Sequence, residues 1–90
     1  MARDFEAIRP TLNAAAITPS DTVDFGYITT AIYVGGIGSG SDLTYIPEGQ
    51  TTPVTLYGVV AGSYYPIAAS RVNATNTTAD NLVAWYNPTL

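Results

Sequence analysis

Cysteine, histidine and lysine are all absent from this chain of 90 residues. Without cysteine there is no disulfide, no thiolate metal site and no thiol redox chemistry, and the compartment is left open. Without histidine the commonest general base and the imidazole metal ligand are missing. Without lysine, three arginines face seven carboxylates, and the formal net charge is −4. An acidic chain repels phosphate backbones, so nucleic acid is not an expected partner. No apolar run approaches the roughly 18 residues of a membrane span, and the opening MARDFEAIRP is mixed in charge, unlike a secretory leader. The inventory left for catalysis is carboxylates and hydroxyls. We therefore expect no enzyme, no cofactor, no metal and no membrane partner.

What the chain does contain is strand-forming and turn-forming material. A chain this short buries roughly 60–65% of its unfolded surface, enough for one core with little margin, and association with copies of itself is a common supplement. Thr and Tyr are frequent, and Gly and Pro punctuate at short intervals, which predicts an all-β fold: a small antiparallel β-sandwich or jelly-roll-like barrel. The clearest strand covers 27–34, with Ile28, Thr30, Ile32 and Val34 on one face and Tyr27, Thr29, Ala31 and Tyr33 on the other. Further strands are expected over 14–18, 42–46, 53–59, 65–72 and 81–86. TPSD at 18–21 and IPEGQ at 46–50 have the composition of type I and II turns, and Asn76 suits a positive φ within the polar connection 73–81. Residues 1–13 lack strand alternation and are expected to form an N-terminal arm, with a helical turn near Phe5–Ile8, ahead of a single domain over 14–90.

The glycine cluster VGGIGSG raises the question of phosphate binding, with four glycines at 35, 36, 38 and 40. A dinucleotide loop needs G-x-G-x-x-G ahead of a helix, and a P-loop needs a terminal Gly-Lys-Ser/Thr. Here the spacing differs, the basic residue is missing and the sequence that follows, SDLTYI, alternates like a strand. The cluster is read as a flexible hairpin connection.

Charge divides the chain. Arg3 and Arg9 balance Asp4 and Glu6 in the first nine residues, whereas the remainder sets Arg71 alone against Asp21, Asp24, Asp42, Glu48 and Asp80. Asp21 and Asp24 have neither an EF-hand loop nor an RTX-type repeat around them, and Asp21 is expected to order the turn after Pro19. Arg71 is expected in a structural salt bridge, within or between subunits. Asn73 and Asn76 each open a glycosylation sequon, which carries no weight without a secretory signal. The aromatic residues are too numerous for so small a domain to hide, and Tyr and Trp favour surfaces that bind other surfaces.

Three stretches, AAAITPSDTVDF at 14–25, AIYVGGIGSG at 31–40 and VVAGSYYPIAASRVNATNTTADNLVAWY at 59–86, stand in an order that resembles the head spike base proteins of tailed phages and phage-derived gene transfer agents. Asn76 stands where that family commonly has Gly, the segment 36–54 is lengthened, and NPTL after Tyr86 is an extension. The resemblance implies a virion structural protein on the outer capsid surface, a head spike or fibre base or a decoration protein. It would bind the major capsid protein and itself, as a trimer or pentamer, and carry a spike or fibre protein. Candidate interface residues are Arg3, Asp4, Phe5, Ile8 and Arg9 in the arm and Arg71, Tyr64, Tyr65, Trp85 and Tyr86 in the body. Two alternatives stand beside this reading. One is a cement protein that trimerises at three-fold axes. The other is a carbohydrate- or receptor-binding β-module with Tyr64, Tyr65, Trp85 and Tyr86 as a coplanar stacking platform.

Overall fold

The computed structural model describes residues 13–87. Seven strands follow one another: β1 (Asn13–Ala16), β2 (Thr29–Gly36), β3 (Asp42–Pro47), β4 (Val54–Tyr57), β5 (Ser63–Tyr65), β6 (Ala69–Val72) and β7 (Asp80–Tyr86). They form two antiparallel sheets, a four-stranded one ordered β1-β7-β2-β5 and a three-stranded one ordered β4-β3-β6. The fold is the expected small β-sandwich. Ile32 and Val34 from β2 and Leu82 and Ala84 from β7 face Leu43, Ala69 and Val72 of the other sheet, closed by Ile17, Val59, Ile67 and Ala79. Each of the Ile, Val and Leu side chains contributes about 1.5–3 kcal/mol by leaving water.

Three expectations are corrected. The strand expected over 65–72 is two strands in different sheets. Pro66 has no N–H to give to a ladder, so the chain leaves the first sheet after Tyr65 and enters the second at Ala69. The buried Thr29 hydroxyl pins this crossing. It donates to the Ile67 carbonyl at 2.5 Å and accepts from the Ala69 N–H at 2.9 Å, so it is hydrogen-bonded on both sides as a buried hydroxyl must be.

The facing pattern of β2 also shifts. The register between β2 and β7 slips between Thr29 and Ala31. Thr30 is the extra residue, exposed, with its hydroxyl on the Trp85 carbonyl at 3.1 Å. A bulge of this kind reverses the alternation before it, so Thr29 and not Thr30 joins Ile32 and Val34 inside.

The glycine cluster is a turn, as expected, but it is not a hairpin: β2 and β3 belong to different sheets. The turn is closed by the Gly40 N–H on the Ile37 carbonyl at 3.1 Å, with Gly38 at φ 65°. The glycines are required by proximity. A Cβ on Gly35 would lie 2.5 Å from the Asn81 carbonyl oxygen, and one on Gly38 would lie 2.6 Å from that of Thr78. The β2 exit is packed backbone to backbone against the entry of β7.

Candidate functional site

The segment between β1 and β2 was singled out for its paired aspartates. It runs along β6, the edge of the three-stranded sheet. Ser20 N–H donates to the Val72 carbonyl and Phe25 N–H to that of Ser70, at 2.9 and 2.8 Å. The local turn is ordered by Ser20, whose Oγ accepts from the N–H groups of Thr22 and Val23, and not by Asp21. Asp21 instead reaches Thr75, accepting from its N–H at 2.9 Å and its hydroxyl at 2.6 Å. These bonds, the hydroxyl foremost, hold the Asp21 carboxyl below its ordinary value. Arg71 forms its salt bridge within the chain: Nε meets Asp24 Oδ1 at 2.7 Å, and a terminal nitrogen donates to the Asp21 carbonyl at 2.7 Å. The acidic pair is thus a clasp that covers a sheet edge, which would otherwise offer unpaired backbone groups to another chain. Asn76 takes the positive φ expected of it, 70°, and Asn73 is buried at the foot of the same loop. Among the described residues no group of three or more acidic side chains is arranged to hold a metal ion.

The aromatic side chains divide between two places. On the four-stranded sheet, Tyr33 of β2, Tyr64 of β5 and Trp85 of β7 point away from the core. Tyr64 lies across from both, with centroids 5.1 Å from Tyr33 and 6.2 Å from Trp85 and planes tilted by 55° and 52°. The strand registers place Ala14, Ala16, Ala31 and Val83 on this same outer face. All four strands therefore contribute, and the seven side chains include no charge. Tyr64 remains 59% exposed. The Trp85 indole N–H is enclosed and has no hydrogen-bond partner, an N–H donor left unpaired on an otherwise apolar surface.

The second aromatic group lies at the end of the sandwich where β1 begins. Tyr86 stacks on Tyr27 with centroids 3.7 Å apart, and Tyr27 on Phe25 at 5.2 Å, with planes within 11° and 8° of parallel. Burial, and then the neighbouring Tyr86, raises the Tyr27 hydroxyl above its ordinary value. Beside the stack is an open cleft of about 430 Å³ lined by Tyr27, Ile28, Thr29, Thr30, Glu48 and Ala68.

Of Tyr64, Tyr65, Trp85 and Tyr86, only Tyr64 and Trp85 come together. Tyr65 packs on the core from the inner face, its hydroxyl accepting the Val60 N–H at 2.9 Å. Tyr86 belongs to the end stack, and the Tyr64 and Trp85 rings are tilted. The coplanar exposed platform that a sugar-binding module needs is not present in these four residues. Arg3, Asp4, Phe5, Ile8 and Arg9 lie outside the described residues. Sequence reading missed the outer-face alanines, Val83 and Tyr33. The alternation within β2 and β7 was the signal for Tyr33 and Val83, whereas Ala14 and Ala16 read as filler until β1 is seen beside β7.

No protein-family model matches the chain, and no curated protein matches it. Among solved structures, it is similar to a chain from the capsid of a native gene transfer agent particle computed with C5 symmetry. The two are 36% identical, 84% of this chain and 83% of that one are covered, and the TM-score is 0.66. Identity at that level, carried over most of both sequences and a shared sandwich, means that the chain belongs to the capsid-related structural proteins of phages and gene transfer agents.

Proposed function

We propose that this protein is an outer-surface component of the virion, a head spike or fibre base or a decoration protein, that associates with copies of itself and docks on the major capsid protein. Support comes first from the uncharged outer face of the four-stranded sheet. In a chain of net charge −4, a second copy meets least repulsion where carboxylates are absent. Every described Asp and Glu lies off this face. Tyr33, Tyr64 and Trp85 supply the large, stiff side chains that dominate binding surfaces. The segment before β1 would add Arg3 and Arg9, two of the chain's three cations, to the docking surface. Copies placed symmetrically on a shell gain further from multivalency.

The test is add-back of purified protein to particles that lack it. Native chain is expected to bind, and cryo-EM is expected to show its density on the outside of the shell. Ala16→Asp and Tyr64→Asp are expected to leave the fold intact by circular dichroism and to weaken binding at least tenfold. A chain lacking residues 1–13 is expected to fold and fail to decorate. Normal decoration by all three variants overturns the reading. Density confined to three-fold axes replaces it with the cement alternative.

A further inference from the structure

We propose that copies of this chain join in pairs through β4, strand against antiparallel strand about a two-fold axis at Leu56, so that two three-stranded sheets become one. This rests on the self-association proposed above and names where it occurs.

The direction of the backbone is the first support. Asp42 donates its N–H to the Thr78 hydroxyl and accepts the Thr78 N–H on its carbonyl, at 3.0 and 2.9 Å. Thr44 likewise donates to the Thr77 hydroxyl and accepts from the Asn73 N–H, both at 2.9 Å. These two residues of β3 therefore turn their polar backbone toward the β6 side. Sides alternate along a strand, so Leu43 and Tyr45 turn theirs toward their β4 partners, Leu56 and Val54. The other residues of β4, Thr55 and Tyr57, point their N–H and C=O groups away from β3, at an edge of the sheet. A second β4 centred on Leu56 sets Thr55 of each copy against Tyr57 of the other, and every outward donor meets an outward acceptor. A register centred on Thr55 would instead set Tyr57 against Pro53, which has no N–H to give.

The character of this side is the second support. Among the described residues, Val54, Tyr57, Val60 and Tyr64 are exposed large apolar side chains, with Val23 the only other. Those four lie on β4, on β5 and on the turn between them, and Tyr57 is 79% exposed. No charged residue occurs from 49 to 70. A two-fold axis brings the residues near it close to their own twins, so a charge here would meet its like. An uncharged edge is what self-pairing requires, and it offers nothing to select a charged partner. Natural edges are kept apart by charges, bulges or cover. The β6 edge has cover in residues 20–25. By contrast, β4 carries no charge, and its pairing with β3 runs without a bulge.

Sedimentation equilibrium of the full chain is expected to give twice 9.5 kDa. Tyr57→Pro removes the outward N–H from each copy and leaves the ladder to β3, and it is expected to weaken pairing roughly tenfold. Tyr57→Lys keeps the N–H but sets like charges near the axis, and it is expected to weaken pairing most at low salt. Both variants are expected to keep the native circular dichroism spectrum. The Thr55 amide is expected to resist hydrogen exchange in the dimer and to exchange freely in the Tyr57→Lys monomer. Since the native chain has no cysteine, a disulfide reports only an engineered pair. Leu56→Cys, about 4.5 Å from its twin between Cα atoms, is expected to oxidise to a covalent dimer. Val54→Cys, out of step with its twin by about 13 Å, is expected to stay reduced. A native chain that sediments as a monomer, a trimer or a pentamer overturns the pairing. So do pairing unaltered in both Tyr57 variants, equal oxidation of the two cysteine variants, and Thr55 protection that persists in a Tyr57→Lys monomer. The two readings fail separately. A monomer that decorates particles removes only this pairing, and a dimer that does not decorate them removes only the docking on the shell.

Discussion

At the scale of single residues, close backbone approach and paired hydroxyls decide what can be changed. Gly35→Ala puts a methyl group 2.5 Å from the Asn81 carbonyl oxygen, and backbone on both sides must move. A loss of about 1–3 kcal/mol is expected. Gly26 has open space around it and no positive φ, so Gly26→Ala is expected to be neutral or to stabilise by up to about 1 kcal/mol. Urea midpoints of the two variants compare them directly. Asp21 supplies a pH test. Its folded value is depressed below 3.8 by Thr75, so its contribution is present above the unfolded value and is lost as pH falls through the folded one. Asp21→Asn is therefore expected to flatten the decline in melting temperature below about pH 4 and to lower stability at pH 7. An unchanged acid limb would show that Asp21 does not drive it. The need for positive φ at Asn76 was legible in the sequence because few residue types tolerate it. The partner of Asp21 was not, since Thr75 lies 54 residues away and no local pattern encodes that meeting.

At the scale of elements, strands with a strong alternation or a bracketing turn were legible: β2, β3, β4 and β7 lie within or overlap their expected ranges. What alternation could not show was sheet membership. Residues 65–72 read as one run because Tyr, Ile, Ala and Val all suit strands, and the change of sheet at Pro66 depends on where Thr29 sits. The bulge at Thr30 escaped for the same reason, as an inserted residue is visible only against its β7 partner. The aspartate clasp belongs to this scale as well. Arg71 and Asp24 are partly solvated, with 23% and 57% of their side chains exposed, so Asp24→Ala is expected to cost no more than about 1 kcal/mol. Its larger effect is expected in association: once the 20–25 segment lifts, the β6 edge can pair with other chains. Light scattering of the variant at rising concentration should reveal the growth of larger species, and monodisperse behaviour equal to the native chain would count against the edge-covering role.

At the scale of the whole molecule, the uncharged outer face was half legible. Seven tyrosines and one tryptophan pointed to rings left outside the core, but the division of those rings between an outer face and an end stack is a property of the assembled sandwich. The order β1-β7-β2-β5 has another consequence. The last of the described strands lies inside the larger sheet, flanked on either side by β1 and β2, the first two. On the ribosome, then, the early strands must wait for residues 80–86 to emerge before that layer can close, and pairings this distant in sequence form slowly. A released fragment ending at Ala79 is expected to be digested rapidly by protease, whereas one that includes residues 80–87 is expected to resist. Closure of the larger sheet is thereby tied to the arrival of residues 80–86, however early its other three strands are made.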